Sequence, residues 1–273
     1  METTSAKKVN TEQGKAKEFK LNSSEHTTRW KSAIVMLAVI LIVGILDIKF
    51  ITWLFFGAVL YFAFDEACKL FDVNAKALLP YVAVVWVASY FFKDPVLLLF
   101  LALITLASRL AYDKSVEKKD FLPLFYPLAS MLFIWSLYLN YGMITLVWLL
   151  VIVALADMGA YYTGRKFGKT PFSPTSPKKT LEGVFGGVAL ATIIGAILIV
   201  STSEISFFAA LLLAMLTSIA GVFGDLFESY LKREAGVKDS GNLIPGHGGM
   251  LDRVDGYLFA SIMLYTVLQI GRL

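Results

Sequence analysis

The chain reads as an all-α polytopic membrane protein, and three observations carry that expectation. Hydrophobic residues make up 57% of the 273 and charged residues only 17%, more apolar surface than one core of this size can bury. Apolar runs recur between short polar breaks, at lengths suited to about 20 helical residues crossing roughly 30 Å of hydrocarbon. Charges are gathered into a few segments instead of being spread along the chain. The surplus apolar surface therefore faces lipid.

Residues 1–30 are polar, charge-mixed and poor in apolar side chains, so they cannot offset the entropy of ordering and read as a disordered tail. No apolar stretch directly follows the first basic residues, so no signal peptide is expected. About nine transmembrane helices follow, near 31–46, 50–64, 77–92, 95–111, 121–139, 143–163, 183–200, 205–224 and 254–271. The second, at 50–64, is the shortest. The chain divides into N-terminal transmembrane helices over 31–142 and a C-terminal transmembrane catalytic region over 143–273. Asp47 to Lys49, Lys93-Asp94-Pro95, Asn140-Tyr141-Gly142 and Ser201 to Glu204 supply the short turns. These alternate with longer polar loops, of which 164–182 and 225–253 are the largest in the second half.

All but three of the 25 Lys and Arg residues fall on one side of this nine-span arrangement, the exceptions being Lys49, Lys93 and Arg272. Basic residues are retained on the cytoplasmic side, so the N-terminus and the long loops are expected in the cytoplasm. The net charge of +4 is therefore mostly topology. No basic face alternates with exposed aromatics, so a nucleic-acid partner is not expected. A single cysteine, Cys68, excludes an internal disulfide framework and a Cys-based zinc site.

The outer turns are too short for a site, which leaves the two inner loops and the helix ends beside them. Asp157 lies about 14 residues into the sixth span, roughly 21 Å along it. Asp225 closes the eighth span and Asp252 precedes the ninth, so antiparallel neighbours bring both carboxylates to one level. An ionisable group within a span costs about 2.5–3.5 kcal/mol on insertion scales and is a functional candidate by default. Each aspartate could equally pair with a neighbour such as Lys232 or Arg253 and staple the loop. Three carboxylates beside many lysines and arginines match a divalent cation and a polyphosphate, because magnesium takes hard oxygen ligands. Lys and Arg would then bind the phosphates, Arg as a bidentate fork and Lys as a point charge.

Ser173 to Thr180, SPTSPKKT, adds Ser176, Lys178 and Lys179 between prolines, just before flexible glycines. GRKFGKT, from Gly164 to Thr170, has three residues between its glycines where a P-loop has four, and it follows a membrane helix instead of a strand. His247 sits in PGHGG, where glycines allow close backbone approach or a tight turn; capping the turn into the ninth span is its plainer role.

Ser229 to Asp255, SYLKREAGVKDSGNLIPGHGGMLDRVD, resembles the signature of the phosphatidate cytidylyltransferases, or CDP-diacylglycerol synthases. That pattern runs Ser, one residue, an apolar residue, Lys-Arg, four residues and Lys-Asp. A small residue follows two further on, then His-Gly-Gly and Asp-Arg-apolar-Asp. DMGAYYTGRKFGK and SPKKTLEGVFGG, within Asp157 to Gly187, are also similar, and Asp65-Glu66 resembles an acidic position of the family. The resemblance covers about the C-terminal half; the N-terminal helices match only in being hydrophobic.

The resemblance implies cytidylyl transfer from CTP to phosphatidic acid, giving CDP-diacylglycerol and pyrophosphate with Mg2+ as one ion or a pair. Asp225 and Asp252 would hold metal, with Asp157 beside them. Ser176, Lys178, Lys179, Lys232, Arg233 and Arg253 would bind substrate, while Lys232, Arg233, Lys238, Asp239, His247, Arg253 and Asp255 would complete the catalytic set. A bacterial-type inner membrane, a site facing the cytoplasm and a homodimer are the matching expectations. The alternatives are another nucleotide-dependent lipid transferase or kinase, and a secondary transporter for an anionic solute.

Overall fold

A computed structural model describes residues 28–112 and 116–271; most of the 1–30 tail lies outside these residues. Among the described residues the fold is helical, with only two isolated β-bridges, Pro171 to Thr180 and Ile244 to Gly248. The helices are α1 (Thr28–Leu46), α2 (Lys49–Leu70), α3 (Ala75–Ser89), α4 (Val96–Tyr112), α5 (Ser130–Tyr141), α6 (Met143–Phe167), α7 (Leu181–Thr202), α8 (Phe207–Glu234) and α9 (Leu251–Gly271). Counting Lys118–Tyr141 as one segment, seven are long and apolar enough to cross a membrane. Helices α3 and α4, at 15 and 17 residues, are shorter.

Three boundaries differ from the sequence reading. Helix α2 runs on through Asp65-Glu66 to Leu70 because Glu66 is buried and hydrogen-bonded, so its charge does not end the helix. Helix α8 runs ten residues past Gly224, since ESYLKRE forms helix readily and its Glu228 and Leu231 are buried on one face. With α9 starting at Leu251, the polar loop expected over 225–253 is non-helical only over 235–250. The fifth segment is not one regular helix. Lys118–Phe121 is a 3-10 turn and Leu124–Ala129 a π turn around Pro127, which has no N–H to continue an α-helical ladder.

Polar caps start the helices that frame the second half. Thr180 accepts the Gly183 amide at 3.2 Å ahead of α7, and Ser206 accepts that of Ala209 at 3.4 Å ahead of α8. Between α5 and α6, Gly142 turns the chain at φ +80°, a conformation that L side chains avoid.

Helices α6 to α9 pack as one bundle, α7 chiefly against α6, and α8 against α7 and α9. Lipid gives helices no hydrophobic reason to associate, so close packing of small residues does that work. A Cβ on Gly159 would come within 2.8 Å of the Gly187 Cα, and one on Gly187 would collide with the Ala156 carbonyl. Gly187→Val should therefore push α7 off α6 and cost about 1–3 kcal/mol by overpacking. Thermal unfolding in detergent measures it; an unchanged midpoint would mean that the interface is not this tight.

Helices α2, α5 and the segment before α5 close the other side, burying Leu60, Phe64, Met131 and Trp135. Helix α1 has no buried residue. It touches the second half at its amino end, where the Ser32 hydroxyl donates to the Pro245 carbonyl at 2.9 Å.

Candidate active site

The last turns of α8, the 235–250 loop and the first turn of α9 form one polar assembly. Residues four apart on a helix share a face, so Glu228 lies beneath Lys232. The Lys232 ammonium reaches Glu228 at 2.5 Å and Asp252, on α9, at 2.7 Å. Its side chain is only 11% exposed and Glu228 is fully buried. Glu228 Oε1 accepts no hydrogen bond among the described residues. A buried cation between two carboxylates is strongly stabilised only while both partners stay in place.

Asp252 is saturated. Its Oδ1 takes Lys232, and its Oδ2 accepts the Ser240 amide at 2.9 Å, the Ser240 hydroxyl at 3.0 Å and the Gly249 amide at 2.8 Å. The carboxylate thereby ties α8, the loop and the start of α9 together. Behind it stands Glu66 of α2, which accepts the Met250 amide at 3.0 Å, the Leu251 amide at 2.8 Å and the Ser240 hydroxyl at 2.9 Å. The loop closes on itself through the bridge from Ile244 to Gly248 and the His247 amide's bond to the Ile244 carbonyl. Gly246 and Gly248 take φ of +76° and +84°, which is why the turn is written with glycine on either side of His247. The His247 Nδ1 is buried and has no hydrogen-bond partner among the described residues.

Across from this assembly, residues 168–180 form a small hairpin. The Leu181 amide donates to the Thr170 carbonyl at 2.9 Å, and that of Phe172 to the Lys179 carbonyl at 2.8 Å. Glu182 holds the hairpin's first residues by accepting the Lys169 amide at 3.1 Å and the Thr170 hydroxyl at 2.9 Å. So anchored, the hairpin carries Lys179 to α8, where its ammonium pairs with Asp225 Oδ2. Asp225 Oδ1 accepts the Ser229 hydroxyl at 3.3 Å.

Asp157, Asp225 and Asp255 interact electrostatically with one another, and Lys179 and Arg253 oppose the charge of Asp157. Asp157 is exposed although it lies within a membrane-length helix, and Asp255 takes the Gly256 amide at 2.8 Å on Oδ1. Among the described residues no three acidic, His or Cys groups converge closely enough to ligate an ion as they stand. The donor chemistry of Asp157, Asp225 and Asp255 nevertheless suits a hard divalent cation: oxygen only, negatively charged and repelling one another. Asp252 offers the same oxygen chemistry, and like those of Asp225 both of its oxygens face protein donors as they stand.

The other expected residues surround this core. Lys178, Lys238, Asp239 and Arg253 are exposed, while Ser176 is half-buried in the hairpin. Arg233 is exposed and spends one guanidinium N–H on the Val237 carbonyl at 2.9 Å, closing the turn after α8. The sequence reading passed over Glu228, Ser240 and Glu182 and did not place Glu66 in the site. Glu228 was legible as a carboxylate one helical turn before Lys232. Nothing local to Glu66 announces a partner 184 residues away.

A family model described as the Cytidylyltransferase family matches residues 27–271. The phosphatidate cytidylyltransferase of Helicobacter pylori (strain ATCC 700392 / 26695) is 39% identical over 242 residues, 88% of this chain and 91% of that protein. Those of Thermotoga maritima and Bacillus subtilis are 44% identical over 145 residues and 41% over 133. These two alignments cover 50% and 48% of this chain, and 54% and 49% of the relatives.

Proposed function

The chain belongs to the cytidylyltransferase family, and from that premise we propose that it transfers a cytidylyl group from CTP to phosphatidic acid, releasing pyrophosphate and CDP-diacylglycerol. One observation carries the reading: the signature from Ser229 to Asp255 folds into a single hydrogen-bonded assembly, facing a lysine-bearing hairpin that is paired to it through Asp225. The identity over 88% of the chain to a phosphatidate cytidylyltransferase names the substrates.

A lipid phosphate oxygen attacks the α-phosphorus of CTP, a new P–O bond forms, and the bond to the β-phosphate breaks. Such a transfer needs positioning and charge stabilisation more than covalent chemistry. Lys178, Lys238 and Arg253 hold no ion pair among the described residues, so their charges are available to the triphosphate and the lipid phosphate. Arg233 retains further N–H donors for the same use, and the Ser176 hydroxyl stands in the hairpin beside them. Lys179 and Lys232 are committed to carboxylates and act by holding them in place. Asp239 and His247 shape the loop around the phosphates. A lipid phosphate is already ionised near neutral pH, so His247 need not remove a proton.

Asp225 and Asp252 would hold magnesium, as one ion or a pair, with Asp157 and Asp255 beside them, and the metal would neutralise charge on the transferring phosphates. Asp252 also ties the loop to Lys232.

We place the site at the cytoplasmic face of a bacterial-type inner membrane. Seven helices have the length and apolar character of membrane spans, and the two short ones, α3 and α4, are consecutive. Counting that pair as two crossings or as none leaves every later loop on the same side. The excess of Lys and Arg on one face then sets the orientation. A homodimer belongs to the same proposal, and the mass of the detergent-solubilised protein tests it.

The decisive assay gives purified protein labelled CTP, phosphatidic acid and magnesium. CDP-diacylglycerol and pyrophosphate in equal amounts, lost on chelation, are expected. Folded protein that makes neither product would sink the assignment.

A further inference from the structure

We infer that Glu66, on α2, is the positioning residue for the carboxylates of α9, so that the N-terminal half of the chain sets the geometry of a site whose signature lies wholly in the C-terminal half. The inference rests on the cytidylyl-transfer reading for its effect on catalysis, and on the hydrogen bonds alone for its structural part.

A helix begins with amides that have no partner within it, and a carboxylate placed there satisfies them with charge assistance. For α9 that carboxylate comes from another helix. Glu66 is 5% exposed, and its two oxygens take the amides of Met250 and Leu251 at 3.0 and 2.8 Å. Asp252 and Asp255 follow within the next turn, so displacing the amino end of α9 displaces both.

A second link makes Glu66 more than a cap. The Ser240 hydroxyl lies 2.9 Å from Glu66 and 3.0 Å from Asp252, and it accepts the Asp252 amide at 3.3 Å. Its single proton is shared between two carboxylates. Asp252 in turn grips Lys232, so an unbroken chain of polar contacts runs from α2 through the loop to α8. The backbone leaves no slack around it. A Cβ added to Gly249 would collide with the Glu66 carboxylate and the Ser240 hydroxyl, and one on Gly241 would collide with Glu66 as well.

Glu66→Gln keeps the volume but presents an NH2 to amides and a hydroxyl that already donate. Hydrogen–deuterium exchange of the detergent-solubilised protein should then rise roughly tenfold in peptides covering 241–252, with α6 and α7 unchanged. Half-saturating magnesium and CTP should rise on the order of 10- to 100-fold, as for groups that orient metal-binding residues. A role confined to overall stability would speed exchange throughout and lower the amount of active enzyme at unchanged half-saturation, which would overturn the inference. So would unchanged exchange over 241–252. If the wild-type protein makes no CDP-diacylglycerol, the functional reading fails, while the exchange data still decide what Glu66 does. Should Glu66→Gln not fold, Ser240→Ala removes only the shared hydroxyl: raised half-saturation with slow exchange at Leu251 supports the inference, and wild-type constants overturn it.

Discussion

Asp225→Asn should lower turnover by about 10²- to 10³-fold, the loss typical of removing one group that stabilises charge in a transition state, while leaving the protein folded. The substitution is nearly isosteric, and the oxygen that accepts the Ser229 hydroxyl is retained. What disappears is a negative charge that pairs with Lys179 and interacts with Asp157 and Asp255. Lys179 then has no counter-charge on α8, and the hairpin loses its tether to the helix. Turnover at saturating CTP and phosphatidic acid, read beside thermal unfolding and a magnesium titration, separates the possibilities. A variant with wild-type turnover at every magnesium concentration would remove Asp225 from the site. One that fails to fold would make the Lys179 pair a structural staple, the plainer reading of any single aspartate here.

Lys232→Met should be the most destabilising of these substitutions, at about 3–5 kcal/mol, because it strips the cation from two buried carboxylates. Glu228 is fully buried, and the side chain of Asp252 is 5% exposed, so neither can turn to water for compensation. Adding Glu228→Gln to the same chain should recover part of the loss, since one of the two stranded charges is gone. The double variant would still be inactive if Lys232 positions Asp252 as proposed. Midpoints of thermal unfolding for the two single variants and the double variant test this as a cycle. Equal losses for Lys232→Met with and without Glu228→Gln would show that the pair is not coupled.

Much of this protein can be read without coordinates because its solvent constrains it. A backbone crossing lipid must satisfy its own hydrogen bonds, so apolar runs become helices wherever they are long enough. All nine expected segments coincide with helix among the described residues, although α3 and α4 fall short of membrane length. The two helices that run on past their expected ends, α2 and α8, do so for one reason. Asp65-Glu66 and the Asp225 to Glu234 stretch were read as helix ends because they are charged. A charge ends a helix only when it lacks partners, and these carboxylates and Lys232 supply partners to each other and to the loop. Asp252 shows the same limit in another way. Its type and level in the membrane fit a metal ligand, and the backbone amides of Ser240 and Gly249 also reach one of its oxygens; no side-chain pattern foretells which amides a loop will turn inward.

By itself, then, the sequence determined the all-α membrane architecture, the gathering of charged residues into a few segments and the family signature between Ser229 and Asp255. Each of these follows from local composition or from a contiguous pattern, in which neighbours in the chain are neighbours in space. Only the tertiary structure decided which lysines are committed and which are exposed, that Asp252 is a tether, and that Glu66 in α2 holds the start of α9. Those are pairings between residues up to 185 positions apart, set by how helices pack and how a loop folds back, and physical proximity of that kind leaves no mark on either partner alone.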